Sequence, residues 1–61
     1  MKLYLMKYYC KTTREKGESR FIASNDENAI SYCEDYLREK KENFPENEYQ
    51  FLELLKIKKV K

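Results

Sequence analysis

The sequence has no histidine and no tryptophan, and only one glycine, one proline and two cysteines. Each scarcity removes a class of protein. Without histidine there is no imidazole to serve as general base for a cysteine nucleophile. Cys10 and Cys33 lack the third and fourth Cys or His ligands of a metal framework. A single Gly and a single Pro are too few for a loop-rich or low-complexity chain. No run of about 18 apolar residues, the length of a membrane span, occurs anywhere. The apolar opening Met1-Lys2-Leu3-Tyr4-Leu5-Met6 is interrupted by Lys7, and no small-residue cleavage site follows, unlike a signal peptide. Nothing resembles a P-loop, a nucleotide fingerprint or a nucleophile elbow. The expectation is a chain without cofactor or metal, not an enzyme, in the cytoplasm.

What is present is charge and tyrosine. The 61 residues, enough for one domain over 1–61, are 39% charged and 41% hydrophobic, with six Tyr and three Phe. That aromatic content is too high for simple disorder. A chain this short buries only about 60% of its unfolded surface, and its core supplies about 3–5 kcal/mol. Flat or edge-on binding surfaces are easier to build at this size than a deep catalytic pocket. The net charge of +2 hides a segregation. Residues 1–20 carry six basic and two acidic groups, residues 21–48 three and eight, and residues 49–61 four and one. Basic ends flank an acidic middle.

Periodicity predicts the elements. Over residues 2–12, Tyr4, Met6, Tyr8 and Cys10 share one parity and are apolar throughout, so they face the core of a strand. Leu3, Leu5, Lys7, Tyr9 and Lys11 take the other face. The polar stretch Thr12 to Ser19 reads as a hairpin connection, and residues 19–24 as a second strand with Phe21 and Ala23 inward and Arg20 and Ile22 outward. Ser24 and Glu27 match a capping box, with Asn25 as the alternative cap. The helix runs to about residue 42 on a stripe of Ala29, Ile30, Cys33 and Leu37 flanked by Tyr36. Glu34 and Arg38 are spaced for an ion pair. Pro45 ends the helix, residues 43–48 form a loop with Phe44 as a cover, and Tyr49 to about Val60 is the last strand. Its apolar residues do not alternate, which predicts a bulge near Glu53–Leu55 or burial on both faces, with a short helical turn as the alternative.

The fold class that follows is α+β, ββαβ: a three-stranded antiparallel sheet of order 2-1-3 with one helix packed on one face. One helix leaves the other sheet face open, so Leu5, Tyr9 and Ile22 form an apolar patch with a basic rim, a candidate contact surface unless the loop or tail folds over it. The outer helix face offers Glu34, Asp35, Glu39 and Glu42 to a basic protein surface. A nucleic-acid alternative uses Lys7, Tyr9 and Lys11 together with Lys56, Lys58 and Lys59, because aromatics on a sheet stack bases and lysines meet phosphates. Against it, the chain pI is only about 8.5. A structural homodimer through the open face is a third possibility. Cys10 and Cys33 read as small buried hydrophobes, with their pairing left open.

From Phe21 to Ile30 the chain joins a strand end to a Ser-x-x-Glu cap and the Ala-Ile opening of a buried stripe. In this it resembles small phage and mobile-element accessory proteins, among them anti-CRISPR proteins with one helix on a small antiparallel sheet. The resemblance covers residues 19–37 in sequence and the remainder in outline. It transfers no functional residue, because no functional motif matches. It implies a stoichiometric inhibitor of a bacterial nucleic-acid-targeting defence complex, acting by steric occupation in a bacterial or archaeal host cell.

Overall fold

The alternation of the N-terminal residues is realised as a strand. The computed structural model describes the backbone of residues 1–59 and the side chains of residues 1–57. In it β1 spans Lys2–Cys10, β2 spans Glu15–Ala23, α1 spans Asp26–Asn43 and β3 spans Tyr49–Lys59. The sheet order is β2-β1-β3, with both pairings antiparallel. This is the ββαβ arrangement expected from the sequence. Val60, placed at the end of the last strand, lies outside the described residues.

The core follows the parity of β1. Tyr4, Met6, Tyr8 and Cys10 are buried, as are Phe21 and Ala23 of β2 and Ala29 and Cys33 of α1. Aromatic rings fill most of the space between helix and hairpin. Tyr4 stacks on Phe21 with centroids 5.6 Å apart, and Phe21 stacks on Tyr32 at 3.9 Å. Tyr8 meets Tyr36 at 5.6 Å and Tyr49 at 6.2 Å. Such pairs add about 0.5–1.5 kcal/mol each beyond their buried area. The Lys40 ammonium caps this cluster, 5.7 Å from the Tyr8 ring and 5.6 Å from that of Tyr36.

The hairpin turn is tighter than the expected Thr12–Ser19 connection. It takes four residues, Lys11 to Arg14, and Cys10 already pairs with Glu15. Arg14 sits at φ 61° and its N–H donates to the Cys10 carbonyl at 2.8 Å. The glycine is therefore not a turn residue. Gly17 lies within β2, opposite Tyr8. A Cβ there would stand 2.3 Å from Cζ of Tyr8, so the ring occupies the space that any other side chain would claim.

At the helix start Asn25, not Ser24, is the cap. Its Oδ1 accepts the Asn28 N–H at 2.8 Å, while Ser24 Oγ accepts from Asn28 Nδ2 at 2.6 Å. The expected Ser24–Glu27 box is displaced because Asn25 reaches the orphan amide first. At the other end the Phe44 N–H donates to the Lys40 carbonyl at 2.9 Å, and Pro45 prevents continuation. The following loop does not cover the open sheet face. Glu48 accepts from the Lys11 N–H at 2.8 Å and donates its own N–H to Thr12 Oγ1 at 2.9 Å, which ties the loop to the hairpin turn. Phe44 stays exposed rather than acting as a cover.

The strand β3 carries two register shifts instead of one. Leu52 is the extra residue between Phe51, opposite Tyr8, and Glu53, opposite Lys7. Ile57 is the extra residue between Lys56, opposite Tyr4, and Lys58, opposite Leu3. Each single-residue bulge inverts the alternation. Tyr49, Phe51, Leu54 and Lys56 therefore share the helix side, and Gln50, Glu53 and Leu55 the open side. The bulges flank the expected Glu53–Leu55 position, and no helical turn forms there.

Candidate protein-binding surfaces

The buried line of α1 runs through Ala29 and Cys33, both small, which join Met6 in one buried cluster. Tyr32 and Tyr36 lean over the hairpin side. Ile30 and Leu37, on the opposite flank, are turned toward β3. Ile30 was expected in the buried stripe, yet it is 51% exposed. The aromatic stack on Phe21 and Tyr8 sets the helix rotation, and Ile30 is left at the margin.

That margin is a groove of about 600 Å³ between helix and edge strand. Its apolar walls come from Ile30 and Leu37 on one side and from Phe51, Leu52 and Leu54 on the other. Glu34 lines it from the helix, and Glu53 borders it from β3 while pairing with Lys7 on the open face. Phe51 is 46% and Leu52 44% exposed. Scattered surface hydrophobes need no explanation, but contiguous ones mark contact surfaces. The unbroken Phe51-Leu52 pair in a strand was the available sequence signal. The bulge lies at Leu52, ahead of the expected Glu53–Leu55 position, and turns that leucine out of line while Phe51 stays paired opposite Tyr8 on the helix side.

The predicted helix acids Glu34, Asp35, Glu39 and Glu42 are all exposed. Asp35, Glu39 and Glu42 follow each other at helical spacings of four and three and share one stripe. Glu34 stands apart on the groove side. Arg38 bonds to Asp35 rather than to Glu34 as its spacing suggested, and both partners are well exposed. Such a pair contributes little to stability.

The predicted sheet-face residues divide. Ile22 is exposed and pairs with Leu3. Leu5, expected as a contact, is only 9% exposed, because it lies in the middle of the sheet between Arg20 and Leu55. Tyr9 is half-buried between Lys16 and Gln50. Lys7 is half-buried with Glu18 and Glu53 as its cross-strand neighbours, so carboxylates oppose its charge on both sides. Lys11 lies in the hairpin turn. Tyr8, expected on the core face of β1, is buried there.

Lys56 is turned to the helix side. Its Nζ stands 3.3 Å from Asp26 Oδ1, and the Tyr4 hydroxyl donates to the same oxygen at 2.6 Å. The three groups tie β1, β3 and the first turn of α1 together. The hydrogen bond to Asp26 pushes the Tyr4 phenol up to about 12. The Tyr4 hydroxyl, with Lys56 second, holds the Asp26 carboxyl below its ordinary value. The side chains of Lys58 and Lys59, which completed the basic set, lie outside the described residues.

Both cysteines are free and buried. Burial, helped by the charge of Glu34, pushes the Cys33 thiol up. Among the described residues no three His, Cys, Asp or Glu side chains converge on a metal position, and no helix is long and apolar enough to cross a membrane. No protein family, curated protein or solved structure matches the chain.

Proposed function

We propose that the chain is a non-catalytic protein-binding module whose contact surface is the α1–β3 groove together with the acidic face of the helix. The groove is the observation that carries this reading: Ile30, Phe51 and Leu52 are exposed around one space, and the acidic Glu34 lines it from the helix. The occupant that fits is a protein segment offering an apolar side chain to the groove and lysine or arginine beside it. Complementary charge steers such an encounter, and desolvated apolar contacts hold it. An interface of about 800 Å² per partner is roughly a sixth of the 4673 Å² surface of this chain. A body this small, docked on one face, obstructs a larger protein simply by being there. A stoichiometric, anti-CRISPR-like inhibitor of a nucleic-acid-targeting defence complex is the specific form we propose, because such complexes expose basic surfaces of this kind to their nucleic acid.

Affinity capture from a bacterial lysate, through an N-terminal tag and with and without nuclease, tests the reading. The expected result is a protein retained after nuclease by the unaltered chain. It is released by the charge reversal Glu34→Lys, Asp35→Lys, Glu39→Lys while the helical circular dichroism stays unchanged. Retention by the triple variant removes the acidic helix from the interface. Loss of all captured material after nuclease shifts the reading to the nucleic-acid surface of Lys7, Tyr9 and Lys11.

A further inference from the structure

The three-stranded sheet leaves two edges, and they are not alike. β3 is broken by bulges at Leu52 and Ile57, a device that spoils strand addition. β2 is paired to β1 through all nine of its residues with no shift of register, and it contains no proline. Its outer N–H and C=O groups form an unbroken row. A regular edge of this kind accepts another strand.

The charges of β2 choose which strand. Two copies joined edge to edge by a two-fold axis must pair residues of the same face, so one residue sits opposite itself. The register that overlaps all nine residues, Glu15 to Ala23, is centred on Ser19. It sets Glu18 opposite Arg20 of the second copy, twice by symmetry. It also sets Gly17 opposite Phe21 and Lys16 opposite Ile22, so like charges never meet directly. The neighbouring register centred on Glu18 opposes Glu18 to itself and Lys16 to Arg20. The one centred on Arg20 opposes two arginines. A register centred on Gly17 pairs Lys16 with Glu18 but overlaps only residues 15–19. We infer that β2 is a self-recognition edge: a second copy of this chain adds antiparallel at Ser19 and extends the sheet to six strands. Tyr32, exposed, stacked on Phe21 and 3.5 Å from Ser19 Oγ, lies along the seam. The α1–β3 groove stays at the far flank of each copy, so this inference stands apart from the proposed function.

Sedimentation equilibrium across micromolar to millimolar concentrations reads the association, with a mass twice the 7.5 kDa of the chain expected at the upper end. Glu18→Arg and Arg20→Glu should each weaken the dimer at least about tenfold, since two cross-strand pairs turn from attraction to repulsion. The double variant Glu18→Arg, Arg20→Glu should return to within about threefold of the original affinity, because only the register centred on Ser19 regains both pairs. A monomer at every concentration, single variants that dimerise as tightly as the original chain, or a double variant that stays dissociated each overturns the inference. Should a variant lose its helical circular dichroism, amide exchange of the unaltered chain decides instead. Protection across β2 rises with concentration if the edge is the seam, and its failure to rise overturns the inference.

Discussion

The β1–β2 side of the molecule is sealed and the α1–β3 side is not, although both were supplied with apolar residues. On the sealed side Tyr4, Phe21, Tyr32, Tyr36 and Tyr8 form a chain of ring contacts, and Gly17 leaves room for the Tyr8 ring. On the open side Ile30, Phe51 and Leu52 face solvent across a groove. The difference teaches that burial is decided by phase as much as by composition. An unshifted register keeps Phe21 and Ala23, the inward apolar residues of β2, buried. A bulge on β3 turns a leucine out of line.

The comparison breaks most sharply at its two extremes. Met6 is 0% exposed, and Met6→Ala is expected to remove about 2–5 kcal/mol, comparable with the whole stability of a core this size, about 3–5 kcal/mol. Thermal melting followed by circular dichroism should show little cooperative transition. Leu52→Asp should shift stability by no more than about 0.5 kcal/mol and yet abolish partner capture. A strongly destabilised Leu52→Asp would mean that the groove is core and not surface.

A second effect sharpens the sealed side. Gly17→Ala drives a methyl into the Tyr8 ring, and overpacking of this kind costs about 1–3 kcal/mol. Paired with Tyr8→Leu in a denaturant double-mutant cycle, it should cost clearly less than in the original background. Additive losses would show that Gly17 is there for some reason other than the ring.

The Tyr4–Asp26–Lys56 tie predicts how stability moves with pH. The Tyr4 phenol is raised from 10.0 to about 12 by its bond to Asp26. Its contribution is therefore complete below pH 10 and is lost as pH climbs from there through about 12. The Asp26 carboxyl is lowered, so its contribution is complete above the ordinary carboxylate value and is lost as pH falls through the depressed one. Tyr36 is raised as well, by its bond to Tyr8, so phenolate absorbance should show late-titrating tyrosine in the original chain and lose only the Tyr4 part of it in Asp26→Asn. If the variant keeps the Tyr4 part, the bond to Asp26 is not its cause.

The smallest effect lies in the turn. Arg14 holds φ 61° with a side chain, where the left-handed conformation costs about 1–2 kcal/mol. Glycine relieves that strain but loses more freedom on folding, about 0.5–1 kcal/mol. Arg14→Gly is thus expected to stabilise by about 0.5 kcal/mol, read as a higher denaturant midpoint at constant slope.

Much of the fold was legible because its signals are local. The parity of Tyr4, Met6, Tyr8 and Cys10, the acids and cap before Ala29, and Pro45 after the helix each act within a few residues. The candidate surface was legible only in part. The exposed acids of the helix could be read from spacing alone. The groove could not, since it depends on helix rotation, which the Phe21–Tyr32 and Tyr8–Tyr36 contacts set across long sequence separations. Leu5 was misread for a related reason: a residue on an uncovered face is still screened when it lies in the central strand between Arg20 and Leu55.

By itself the sequence determined the element order, the inward face of the first strand, the segregation of charge and the want of imidazole chemistry, because these follow from residue identity and short-range periodicity. The tertiary structure alone decided that Gly17 serves a ring and not a turn, that Lys56 belongs to Asp26, that Arg38 joins Asp35, and that the bulge at Leu52 borders a groove beside Glu34. Each of these turns on which distant side chains meet, and packing settles that only once the strands have found their register.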